Sequence, residues 1–216
     1  KIKLKTNFDI EDLEYGDNQI KHLLLLFNIQ TLLNNKQSNL RFPFDLYKKE
    51  KWDIEHIRSV QSETPSNNSQ RKTWLSIILN YFTGIDDIED IDAQRDAINN
   101  LDEEERVISE KILNIYENFS GITDDKFNNI HGEVLEYFKE DEVPDSVNSL
   151  SNLTLLDSHT NRSYKNAPFP VKRKKIINKD KTGGFIPICT KNVFLKYYSK
   201  TLTHIMYWQE DDAENY

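Results

Sequence analysis

Two strand-length apolar runs, far apart in the chain and separated by helical sequence, constrain the fold more than any other feature. The first lies in Lys51-Trp-Asp-Ile-Glu-His-Ile-Arg-Ser59, where Trp52, Ile54 and Ile57 are apolar and the length suits a short, mostly buried strand. The second runs from Leu153 to Leu156 and is followed by Asp157, placed to cap a helix, and by polar residues at helical spacing. Between them the period is helical. Thr73 to Phe82 puts Trp74, Ile77, Ile78 and Tyr81 on one face and stops near Gly84. Asp102-Glu-Glu-Glu105 opens a helix with an Asp-x-x-Glu capping box, and Ile108, Ile112, Ile115 and Phe119 follow at one-turn spacing. Thr123-Asp-Asp opens another, with Phe127, Ile130, Val134 and Phe138 inward. The chain reads as α+β, with a helical insertion from about Trp74 to Phe138 splitting a small strand motif.

The flanks are less regular. Residues 1–18 carry scattered apolar side chains and predict no particular fold. Gln19 to Asn35 predicts a core helix with Leu23, Leu26, Phe27 and Leu33 inward. Phe42-Pro43-Phe44 breaks it and leads an extended segment into Trp52. Ser62 to Gln70 and Pro144 to Leu150 are turn and linker material. The acidic run from Asp86 to Asp92 suits a solvated face, or one that is turned from DNA or docks a basic partner domain. Gly183-Gly184 is a turn, and Phe185 to Ile188 reads as a short strand or extended plug. Asn192 is placed to cap a last helix, Val193 to Trp208, with Leu195, Tyr198, Leu202 and Ile205 inward, ahead of a frayed acidic tail from Glu210 to Glu214.

At 216 residues the chain has room for one sizeable core, or a core with a helical annex. It does not begin with Met, which suggests a piece of something longer. The single cysteine, Cys189, excludes an internal disulfide and a four-Cys zinc site, and suits a reducing cytoplasm. No signal peptide or spanning segment is read, since Leu23 to Phe27 is too short an apolar run. The net charge of −8 argues against a general nucleic-acid binder, but charge is segregated. Lys172-Arg-Lys-Lys175, with Lys179 and Lys181 beyond and Asp180 opposing, is suited either to phosphate contact or to plain solvation. No Gly-rich phosphate loop is present, so no nucleotide site is expected in this stretch.

At the end of the first strand an acid and an imidazole are adjacent, Glu55 and His56. Neighbours on a strand point to opposite faces, so both can serve one site only where the strand ends or bends. A strand ending in acid-His, then a second strand, then a helix carrying Asn161 resembles the HNH (ββα-metal) nucleases. The stretches Arg41-Phe-Pro-Phe-Asp-Leu-Tyr47, Trp52-Asp-Ile-Glu-His-Ile57, Asn152-Leu-Thr-Leu-Leu156, Asn161-Arg-Ser-Tyr-Lys-Asn166 and Phe169-Pro-Val-Lys-Arg173 are more narrowly similar to one group. These are the C-terminal nuclease domains of GmrSD-like, modification-dependent (type IV) restriction proteins and related phage-defence proteins.

The resemblance implies a single nuclease domain over 1–216. Residues 1–50 would be a helical lead-in, 51–61 the first motif half and 62–150 the mostly helical insertion. Residues 151–181 would be the second half with the basic stretch, and 182–216 a C-terminal strand and helix. It implies a metal-dependent DNA endonuclease. His56 would be the general base, and Glu55 and Asn161 would hold one Mg²⁺, Mn²⁺ or similar ion. Asn152 would fix the loop carrying the base, and Asn166 would orient His56 or a ligand. Lys172, Arg173, Lys174 and Lys175 would contact DNA. It further implies phage DNA, possibly modified, as substrate, a ParB/sulfiredoxin-like NTPase domain in the full-length protein, no membrane, and a cytoplasmic setting. The Pro expected three residues after the motif His is replaced by Ser59. His159 is off the ligand position and reads as surface. His22, His131 and His204 fall in ordinary helices. The alternative is a catalytically degenerate HNH-like module that binds DNA or docks the NTPase domain. A purely helical interaction domain with accidental motifs is the remaining reading.

Overall fold

A computed structural model describes residues 9–10, 12–60, 64–142, 144–200 and 205–216. In chain order the helices and strands are α1 (Ile20–Asn34), α2 (Phe44–Lys49), β1 (Trp52–His56), α3 (Asn68–Thr83), α4 (Ile91–Ile98), α5 (Glu103–Glu117) and α6 (Asp124–Tyr137). Two 3₁₀ turns, Asp145–Asn148 and Leu150–Asn152, then lead into β2 (Leu153–Asp157), α7 (Ser158–Ser163), α8 (Phe169–Lys181), α9 (Ile188–Phe194) and α10 (Glu210–Asn215). The chain is thus α+β, mostly helical with one small antiparallel sheet of β1 and β2. No helix among the described residues is long and apolar enough to cross a membrane.

The chain divides into two compact units. The first comprises 1–58, 144–163 and 172–216; the second, 59–143 and 164–171. The first is built on the strand pair. Trp52, Ile54, Leu153 and Leu155 occupy one face and pack with Ile20, Leu24 and Leu25 of α1, together with Leu13 and Phe42. Trp52 stacks on Tyr47 at 4.9 Å and donates its indole N–H to the Tyr47 carbonyl at 2.7 Å.

Several expected features of this unit differ. In α1 the buried positions are Ile20, Leu24, Leu25 and Asn28, while Leu26, Phe27 and Leu33 are exposed. Four leucines and a phenylalanine in succession make the helix apolar on nearly every side, so spacing cannot choose the inward face. Leu26 and Phe27 instead face a cleft of about 870 Å³, shared with Leu150 and Tyr216. The segment after Pro43 is helical rather than extended, because Pro43 fixes φ at the start of α2 and Asp45 and Lys48 suit its two ends. The helix expected over Val193 to Trp208 is replaced by α9, Ile188–Phe194, which starts after Pro187 and so has Asn192 inside it rather than as its cap; residues 195–200 are not helical. Lys196 follows at φ 62°, and Leu195 and Ile205 are exposed; Leu202 and His204 lie outside the described residues. The acidic tail is a helix, α10. Its Asp212 is buried as the counterion of buried Lys196, and it also accepts a hydrogen bond from Ser199 Oγ at 2.5 Å. Residues 184–187 form no strand.

The second unit matches its sequence pattern closely. Asn67, Asp102 and Thr123 cap α3, α5 and α6 through their side chains, and Gly84 closes α3 at φ 75°, a conformation open to glycine. Trp74, Ile78, Ile112, Phe127, Ile130, Val134 and Phe138 are buried. The acidic run expected as plain surface hides α4, capped by Asp90. Its buried middle residue is polar: Gln94 is bonded to Thr83 and the Asp87 carbonyl. What the sequence suggests for residues 1–8, 11 and 61–63 lies outside the described residues.

His131 is a buried member of this core, 4.8 Å from the Trp74 ring and 5.8 Å from Phe127. Burial among aromatic rings disfavours its charged form and lowers its pKa to about 4. The folded state therefore binds this proton more weakly than the unfolded chain does. The stabilisation is present above pH 6.5 and is lost as pH falls towards 4, by at most about 3 kcal/mol. His131→Phe is expected to flatten the loss of unfolding free energy between pH 7 and 4.5, measured by urea titration. A slope equal to the parent's would show that this imidazole does not set it.

Candidate active site

The ribbon pairs Trp52 with Asp157, Ile54 with Leu155 and His56 with Leu153, so the two motif halves lie side by side despite the insertion between them. The ladder continues one step past His56, where Ile57 N–H donates to the Asn152 carbonyl at 2.8 Å. Asn152 then fixes the turn. Its Oδ1 accepts from Arg58 N–H at 2.9 Å, and its Nδ2 donates to the carbonyls of Val147 (2.8 Å) and Arg58 (3.3 Å). An Asn suits this position because its amide offers donor and acceptor together and so satisfies a strand end that has run out of backbone partners. Asn152 is buried.

His56 is 8 % exposed. The Tyr15 ring lies 4.3 Å from its imidazole, and Asn148 Oδ1 is 3.2 Å from Nε2. Burial, more than anything else, lowers its pKa to about 4; the Asn148 bond opposes that shift and the nearby Lys172 cation adds to it. At neutral pH the ring is uncharged and has a lone pair to accept a proton. Neither Tyr15 nor Asn148 was expected from sequence. Tyr15 precedes α1 and Asn148 ends a 3₁₀ turn, the two segments being joined by a bridge between Glu14 and Ser149, and nothing in their local pattern points to a histidine.

Glu55 is differently placed. Alternation along β1 sends its side chain to the face opposite that of His56. There it is 6 % exposed and its Oε1 lies 2.7 Å from Lys172 Nζ. Lys172 also donates to the His56 carbonyl at 2.7 Å. The expected exposed DNA contact at Lys172 is therefore corrected: the side chain is 2 % exposed and is the buried counterion of Glu55. The reason is helical geometry. Lys172, Ile176 and Lys179 share one face of α8, and both lysines turn inward to acids of the ribbon, Lys179 to Asp157 at 2.5 Å. Arg173, Lys174 and Lys175 are half-buried.

The α7 segment starts at the Trp52–Asp157 end of the ribbon, away from His56, where Asp157 Oδ1 caps it through Thr160 N–H at 2.9 Å. Asn161, half-buried, is on this helix, and the neighbouring Arg162 lies 4.0 Å from Asp53. The structure thus brings His56 and Asn152 to one strand end and Glu55 to Lys172, while α7, which carries Asn161, starts at the other end of the ribbon. His22 and His159 are exposed, and Asn166 is half-buried in the second unit.

A divalent ion at Glu55 would meet a carboxylate already neutralised by an ammonium at 2.7 Å, and two cations sharing one buried carboxylate repel. As arranged, Glu55 does not fit an ion, and no group of three or more His, Cys, Asp or Glu suited to a metal occurs among the described residues. Compared with known protein families, curated proteins and solved structures, the chain matches none.

Proposed function

We propose that the first unit is an HNH-type nuclease domain that hydrolyses DNA phosphodiester bonds with His56 as general base. The observation that supports this best is the strand end itself. A buried, uncharged imidazole closes β1, and Asn152, the residue just before β2, holds the turn behind it. Strand, strand and helix follow in the order the family resemblance implies. An imidazole neutral at working pH accepts a proton from water, while fixed surroundings keep its lone pair aimed. No step is assigned to a metal, because Glu55 would first have to leave Lys172. Phage or modified DNA as substrate, and an NTPase domain as partner, belong to the same reading.

One observation favours a second reading, a degenerate HNH-like module that binds DNA or docks a partner domain. The acid beside His56 is already paired with a lysine. Incubating the chain with supercoiled plasmid in Mg²⁺, Mn²⁺ and EDTA separates the two. Nicking or linearisation is the expected result; intact plasmid with retained DNA binding supports the module. Lys174→Glu with Lys175→Glu is expected to weaken DNA binding at every sequence alike and to flatten its salt dependence, measured by fluorescence anisotropy. An unchanged salt slope would remove these lysines from the interface.

A further inference from the structure

One clip holds the His56 imidazole from two sides. Tyr15 N–H donates to the Asn148 carbonyl at 2.8 Å, beside the bridge between Glu14 and Ser149. The Tyr15 ring then covers the imidazole at 4.3 Å, and Asn148 Oδ1 meets Nε2 at 3.2 Å. An amide oxygen only accepts, so this contact is a hydrogen bond only when the proton sits on Nε2. We propose that Asn148 is a positioning residue that holds His56 as the Nε2–H tautomer and leaves the Nδ1 lone pair as the nitrogen that accepts a proton. A second group on a neutral imidazole commonly fixes which nitrogen is basic in this way.

The role in cleavage rests on the nuclease reading; the tautomer does not. In hydrolysis, Nδ1 takes a proton from water as the water oxygen bonds to phosphorus. The phosphorus–oxygen bond to the departing sugar oxygen breaks, and that oxygen takes a proton from solvent. Tyr15 contributes a wall of aromatic surface, and Asn148 the polar anchor.

Long-range ¹H–¹⁵N spectra of the full chain at neutral pH read the tautomer directly, with the His56 signals assigned by their loss in His56→Gln. A pyrrole-type Nε2 and a pyridine-type Nδ1 are expected; the reverse pattern overturns the proposal. Asn148→Asp keeps an acceptor at the same place and should keep the pattern. Asn148→Leu removes it, so the two nitrogens should shift towards an averaged tautomer mixture. Cleavage by Asn148→Leu should fall about tenfold, less than removal of the base itself. Because Asn148 is exposed, neither variant should disturb folding, which an unfolding midpoint checks. Shifts unmoved by Asn148→Leu would show that Asn148 does not set the tautomer. The expected shifts in a chain that cuts no DNA would remove the nuclease reading and leave the tautomer assignment standing.

Discussion

His56→Ala is expected to abolish DNA cleavage while leaving the fold and most DNA affinity in place. A positioned general base supplies about 10²–10⁴ in rate, and its loss leaves phosphate contacts made by other residues untouched. The structure makes the variant informative about more than the base. Asn152 bonds to the backbone of Arg58, not to the imidazole, so the strand end should survive truncation. The cavity left behind is bounded by Tyr15, which is half exposed. The parent's pH profile is a second readout. With His56 held at about pH 4 by burial, kcat/KM should stay level down to about pH 5 and fall through pH 4, as the lone pair becomes protonated. If His56→Ala cuts as fast as the parent, with contaminating nuclease excluded, His56 is not the base. An acid limb near pH 6.5 would mean that the ring is hydrated in the working enzyme.

Local physics wrote much of this fold into the sequence. The caps at Asp102, Thr123 and Asp157, the glycine stop at Gly84 and the spacing through Phe127, Ile130 and Val134 each involve residues a turn apart. They are visible in any window that contains them. The two strands were equally legible, because each is a short apolar run with its own boundary. Hidden from sequence were the features that depend on partners far along the chain. Lys172 belongs to a basic run that looks exposed, and only the approach of Glu55, 117 positions earlier, turns it inward. Asp212 likewise looked like part of a solvated tail until Lys196 met it. Charge periodicity within α8 could have suggested a helix, since Lys172, Ile176 and Lys179 recur on one side. Which side is buried was set by the acids opposite. The same holds for His56: its strand was legible, but Tyr15 and Asn148 reach it from segments with no pattern at all.

Lys172→Met is expected to cost about 3–5 kcal/mol of stability, because it leaves the Glu55 carboxylate buried without its cation. The Met side chain replaces the aliphatic stem of the lysine almost atom for atom, so lost packing contributes little. The penalty comes from a carboxylate that loses its cation in a site where both groups are almost inaccessible, the side chains being 2 % and 8 % exposed. Loss of the bond from Lys172 to the His56 carbonyl adds a smaller share. Glu55→Gln with Lys172→Met should recover most of the loss, since two neutral groups have no uncompensated charge to desolvate. Urea unfolding of the parent, both singles and the double variant closes the cycle. If Lys172→Met is as stable as the parent, the ammonium and carboxylate are solvated and the pair is not a buried one. The same variant decides what Glu55 can hold. In the parent, 10 mM-scale Mg²⁺ should leave the unfolding midpoint unmoved, because Lys172 already neutralises the carboxylate. In Lys172→Met, Mg²⁺ should raise the midpoint by taking the vacated place, with a shift that grows as the logarithm of ion concentration. A parent stabilised as strongly as the variant would mean that Glu55 leaves Lys172 for the ion, and would restore this acid to the metal-ligand role its place beside His56 first implied.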